Sequence, residues 1–200
     1  FFTTMSEFTN NAEQRAEELA NYMMGLLQGE NGLQLIEKHA LKTSRFIPND
    51  IVNAFDILMD KQVSIEDLKF VSNKLFNILY QTILEYPALT PAQGSILDIY
   101  TQDNAVALAN LKDMREHIKA INKQAEVVHV QALMQKLIAF EKFFLHYTVI
   151  ENVVFPVLEC KWRHHQCVKI MWSFHDDIRR NVRKLIEILE TPEIDLQEFN

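Results

Sequence analysis

Apolar residues recur along this chain at spacings of three and four, the repeat of helices that bury one face. Residues 8–28 are rich in Ala, Glu, Leu and Met, and stop at Gly29 and Gly32. A short helix is expected over 32–42. Pro48 opens 49–60, where Ile51, Val52, Phe55, Leu58 and Met59 mark one face. Ser64 is placed to cap the next helix, with Asp67 in its first turn. Leu68, Val71, Leu75, Ile78 and Leu79 then form a stripe that Pro87 ends. The second half carries three longer stripes. The first, in 104–128, runs Ala107, Leu111, Met114, His117, Ile121, Ala125 and Val128. The second, in 132–156, runs Ala139, Phe143, His146, Ile150 and Val153; the third, in 167–189, runs Val168, Met171, Trp172, His175, Ile178, Val182, Leu185 and Leu189. No stretch alternates with the period of a strand, so the expected class is all-α.

The run 86–95, "YPALTPAQGS", holds two Pro and one Gly among small residues. It divides an N-terminal helical domain, 1–88, from a helix bundle, 103–200, with 89–102 as linker. Composition narrows the partners. The 200 residues carry a net charge of −7, which argues against nucleic acid, since binding phosphates needs a dense basic patch. Cys160 and Cys167 have neither CxxC spacing nor a disulfide framework, which suits a reduced, cytoplasmic protein. No apolar stretch approaches the roughly 20 residues of a membrane span, so no membrane contact is expected. No phosphate loop, dinucleotide fingerprint or nucleophile–base spacing occurs, leaving hydrolase chemistry without support and turnover open.

Each of the three long stripes contains one histidine. His117 and His146 are 29 residues apart, and so are His146 and His175. In an up-down-up bundle two residues stand level when the turn lies midway between them. Turns near 131–132 and 160–161 would therefore put three imidazoles in one layer. Neutral imidazole is the commonest protein ligand for transition metals, and bundles build such sites from facing helices. Taken singly, each is an ordinary core histidine with a hydrogen-bond partner. Glu151 is the carboxylate nearest the layer. On a regular helix it stands about 140° round from His146, on the face of Phe140, Phe144 and Tyr147. It reaches the imidazole only where the helix is distorted. A fourth helix would bring its ligand near position 204, so the bundle is expected to lack its fourth helix within these residues, with Thr191 or Asp195 capping its start. Such a bundle would expose an apolar face and invite a protein partner or a second copy. His164 and His165 fall in a polar turn, and His39, His129 and Asp176 are expected at the surface. Tyr147 and Trp172 flank the presumed site as candidates for contact with a bound group.

"REHIKAI" (115–121), "HYTVIENVVFPVLE" (146–159) and "MWSFHDDIRRNV" (171–182) resemble the hemerythrin-like HHE cation-binding domain. Residues 29–79, beginning "GENGLQLIEKHALK", are similar to the N-terminal helical domain of unknown function found in one branch of that family. The resemblance implies an up-and-down four-helix bundle around non-haem iron, a di-iron centre, with His117, His146, His175 and Glu151 as ligands. It further implies binding or sensing of a diatomic ligand, oxygen or nitric oxide, or service to iron–sulfur clusters. Two alternatives stay open: a metal-free helical signalling or interaction module, and a sensor that binds haem through one bundle histidine.

Overall fold

A computed structural model describes residues 3–42, 45–124, 126–162, 165–191, 194 and 196–199, with side chains from residue 11 onward. The described residues are all-α, with no strand among them. The helices are α1 (Thr3–Leu27), α2 (Gly32–Lys38), α3 (Pro48–Asp60), α4 (Ile65–Leu84), α5 (Ile96–Lys123), α6 (Val127–Glu141), α7 (Phe144–Val149), α8 (Phe155–Lys161), α9 (Cys167–Leu189) and α10 (Leu196–Phe199). A π-helical turn, Ile150–Val154, joins α7 to α8. The chain divides into two compact units, residues 1–88 with 157–173, and residues 89–156 with 174–200. Segment 157–173 thus groups with the first unit, whereas the sequence stripes assign it to the bundle.

In the first unit Leu19, Met23, Leu35, Ala54, Leu58, Leu68, Val71 and Leu75 are buried together. Gly29, at a φ of 80°, takes the left-handed conformation that lets the chain leave α1. Pro48 opens α3 at a position where no backbone donor is needed. Asp50, 1% exposed, accepts from Arg15 Nε at 2.6 Å and Nη2 at 3.1 Å, and from the Ile47 N–H at 3.0 Å. That carboxylate ties α1 to α3 and answers the partial positive charge at the start of α3. The Ser64 hydroxyl accepts the Asp67 N–H at 3.1 Å, the expected cap. His39 departs from its expected surface place. It is 7% exposed, and its Nδ1 meets the Glu18 carboxylate on α1 at 2.5 Å.

In the second unit α5 starts earlier than the composition of 89–102 suggests. Ser95 accepts the Asp98 N–H at 3.2 Å while Asp98 accepts the Gly94 N–H at 2.8 Å, so a cap initiates the helix at Ile96 inside the expected linker. The first turn of the bundle also moves. α5 ends at Lys123 and α6 begins at Val127, so the reversal lies near 125, not at 131–132. The connection between Lys123 and Val127 contains neither Gly nor Pro. Ala107, Met114, Ile121, Leu133, Leu137, Phe140, Val182, Ile188, Leu189 and Phe199 form the core. Leu111 and Val128, expected on the buried stripe, are exposed, as are Ala139 and Val153. Ala125, His164 and Asp195 lie outside the described residues. The run Val127–Lys161 is long and apolar enough, by length and composition alone, to cross a membrane, which corrects the expectation that no stretch approaches that size. Only 22% of its apolar window is buried inside the structure.

Candidate functional site

Two departures from regular helix decide which side chains of 133–155 face inward. Leu133, Leu137 and Phe140 are buried at ordinary spacing. Around 141–143 the backbone tightens: Phe143 N–H donates to Phe140 C=O at 2.8 Å and His146 N–H to Phe143 C=O at 2.9 Å, bonds that span three residues. Beyond Val149 it widens, and Phe155 N–H donates to the Ile150 C=O five residues back. The tight turn advances the chain round the axis and the wide turn holds it back. His146 (8% exposed), Glu151 (5%) and Phe155 therefore continue the buried line. The local distortion that Glu151 needs is present, as a π turn.

The corrected turn also explains the partner of His146. A reversal near 125 sets residue 104, not 117, level with 146. His146 Nδ1 lies 3.0 Å from Asp103 Oδ2 on α5. In the tautomer that donates its Nδ1–H to that carboxylate, the ring presents a lone pair at Nε2. This Nε2 is buried and has no hydrogen-bond partner. The ring stacks on Phe143 (centroids 4.5 Å, 24°) and meets Tyr100 edge-on at 4.8 Å.

Glu151 holds the second imidazole. Its Oε1 is 2.9 Å from His175 Nδ1 on α9, and its Oε2 accepts from Arg179 Nη2 at 2.8 Å. Arg179 Nη1 also donates to Asp176, which is exposed as expected, at 3.2 Å. His175 lies parallel to Tyr147 (4.1 Å, 12°) and to Phe155 (5.9 Å, 13°), and the Arg179 guanidinium sits 5.7 Å from the Tyr147 ring centroid. Burial pushes the Glu151 carboxyl up, but the hydrogen bonds from Arg179 and His175 outweigh it and hold the group below the ordinary range. Burial pushes His175 below its ordinary value; Glu151 opposes this, while the charge of Arg179 and the proximity of His146 add to it. At neutral pH the pair is therefore a neutral imidazole donating Nδ1–H to a carboxylate, with Arg179 as counter-charge.

His146, Glu151, Tyr147 and His175 thus come together in the second unit. His117 does not join them; its Nδ1 lies 3.3 Å from that of His129, which is half-buried, not a surface residue. Trp172 belongs to the first unit. His165 Nδ1 meets the Trp162 carbonyl at 2.8 Å, as a loop histidine would.

The donor set does not fit a two-iron centre. Among the described residues no three His, Cys, Asp or Glu side chains converge as metal ligands. Both oxygens of Glu151 are occupied by protein donors, one of them the cation Arg179. Sequence reasoning missed Asp103, Tyr100 and Arg179. Asp103 was open to the same midpoint argument once the turn is put in the polar run 122–126. Arg179, one turn beyond His175, shares its helix face.

The site borders a groove of ≈ 590 Å³ between α5 and α6–α7. Ile96, Ile99 and Val106 wall it on one side and Leu145 and Val149 on the other, all exposed, over Tyr100, Phe140 and Phe143. Compared with family models, with curated proteins and with solved structures, the chain matched none.

Proposed function

We propose that this chain is a helical interaction module whose histidines brace its core and whose α5–α7 groove receives an amphipathic helix. One observation carries this reading: large apolar side chains stand exposed in two facing rows along adjacent helices. On α5 the row spans Ile96 to Val106, about 15 Å at 1.5 Å per residue. Rows of that length and spacing suit helix-in-groove recognition, in which an apolar stripe at i, i+3, i+4 and i+7 is buried. Contiguous apolar surface of this kind marks interaction sites more often than chance. His146 and Asp103 lie within the groove lining and tie its two walls, α5 and α7, together, while Glu151 joins the turn after α7 to His175 and Arg179 on α9.

The test is calorimetric titration of the full chain with a neutral amphipathic 18-residue peptide helix of Leu, Ala and Gln. Saturable one-to-one binding is expected, lost at least tenfold in Leu145→Glu and kept in Leu33→Glu, an exposed leucine of the first unit. Absence of saturable binding, or equal loss in both variants, overturns the proposal.

A second reading keeps, of the iron implied by the resemblance to hemerythrin-like domains, only iron or haem held through the single imidazole of His146, for a diatomic ligand, since the two-iron donor set does not fit. It is favoured by the buried, unpartnered Nε2 of His146, which Asp103 orients from behind as outer carboxylates orient metal-bound imidazoles. Iron supplied during expression would then copurify with the chain and be lost in His146→Ala; a haem would instead give a Soret band.

A further inference from the structure

Away from the groove, at the turn between α5 and α6, a different pair of imidazoles faces each other. His117 Nδ1 on α5 and His129 Nδ1 on α6 stand 3.3 Å apart, with ring centroids at 5.5 Å and planes at 52°. As a hydrogen bond this separation is long, since N–H donors ordinarily sit about 2.7–3.2 Å from their acceptors. It also requires one ring to hold its proton on Nδ1 and the other not to. As the edge of a metal tetrahedron the same separation is ordinary: two nitrogens about 2.0–2.1 Å from one ion at the tetrahedral angle stand roughly 3.3–3.4 Å apart. At the same bond lengths, adjacent ligands of an octahedral ion would stand closer, about 2.9–3.0 Å. Both rings are half-buried, so an ion between them keeps access to water for its remaining positions.

We propose that His117 and His129 form a two-imidazole site for a tetrahedral divalent cation of the zinc class, with solvent completing the coordination. Asp113, one turn before His117 on α5, interacts electrostatically with it, and the same carboxylate forms an ion pair with Lys136 on α6. An ion bound between the rings clamps α5 to α6 across the connection near 125. It ties together the two helices that also wall the groove.

The experiment titrates Zn(II) alone into the full chain, stripped with a chelator beforehand, and repeats it with His117→Gln and His129→Gln. Both substitutions sit at half-exposed helix positions, and circular dichroism of the metal-free variants checks that helix content is kept. One Zn(II) per chain is expected to disappear, or to weaken at least as much as the roughly 10–100-fold typical of losing an outer-shell partner, in either variant. Co(II) in place of Zn(II) should give the intense visible bands of a tetrahedral ion in the wild type and not in the variants. Zn(II) should also protect His117 and His129 together from carbethoxylation in the wild type, a measurement that stands if a variant fails to fold. No Zn(II) binding by the wild type, unchanged binding in both variants, a pale octahedral Co(II) spectrum or no protection of these two histidines overturns the proposal.

Discussion

Glu151→Gln separates charge from shape at the centre of the histidine cluster. The amide keeps the volume of the carboxylate and can still accept from His175 Nδ1, now 2.9 Å away. Its NH₂ group then faces Arg179 Nη2 where an oxygen stood at 2.8 Å. One charge-assisted hydrogen bond is lost, worth about 1.5–3 kcal/mol when buried. Arg179 is partly solvated and retains Asp176, so the cost should be about 2 kcal/mol. The assay is urea unfolding at pH 7.5 by circular dichroism, compared as midpoints at equal slope. The pH dependence has a definite sign. Glu151 is held below its ordinary value of 4.5 in the folded chain, so its stabilisation is fully present above that value. It fades as pH falls through the lower folded value, where a protonated Glu151 becomes equivalent to glutamine. Wild type and variant should therefore differ most near neutrality and converge in strong acid. A difference below about 0.5 kcal/mol at pH 7.5, the range of an ordinary surface substitution, would refute the clamped carboxylate. So would a gap that does not close in acid.

His175→Gln should flatten the loss of stability that accompanies acidification. Its folded value lies below the ordinary 6.5, so the wild type loses stability as pH falls through 6.5 towards that lower value. Urea midpoints between pH 7.5 and 5.5 measure the slope, and an unchanged slope contradicts the assignment. Phe155→Ala removes a ring 5% exposed and parallel to His175; a loss of about 3–5 kcal/mol is expected from the same unfolding curves. Ser64→Ala deletes the cap of α4 and should cost about 1 kcal/mol, with amide exchange accelerating in the first turn of that helix.

Helix existence was readable from periodicity, because stripes such as Leu68, Val71 and Leu75 and caps such as Ser64 are local features. Helix register was not. The histidine spacing places the first bundle turn at 131–132, where His117 and His146 become level, yet α5 ends at Lys123 and α6 starts at Val127, so the chain reverses earlier. That shift parts His117 from His146 and gives His146 to Asp103 instead. The inward face of Glu151 was hidden for a different reason. A tight turn at 141–143 and a wide one at 150–154 cannot be seen in a pattern that assumes 3.6 residues per turn throughout. Both distortions serve one end, since they keep His146, Glu151 and Phe155 on the buried line where regular helix would rotate them apart. Pairings between helices, such as His39 with Glu18, depend on which faces meet and so escaped a reading confined to single stripes.

Iron content of the purified full chain, expressed with iron in excess and measured by elemental analysis, tests the central claim most directly. If Asp103, Arg179 and Glu151 brace the histidines as part of the core of an interaction module, iron stays substoichiometric and does not change between wild type and His146→Ala. Two irons per chain, lost in His146→Ala, would contradict that account and establish the metal reading in its place.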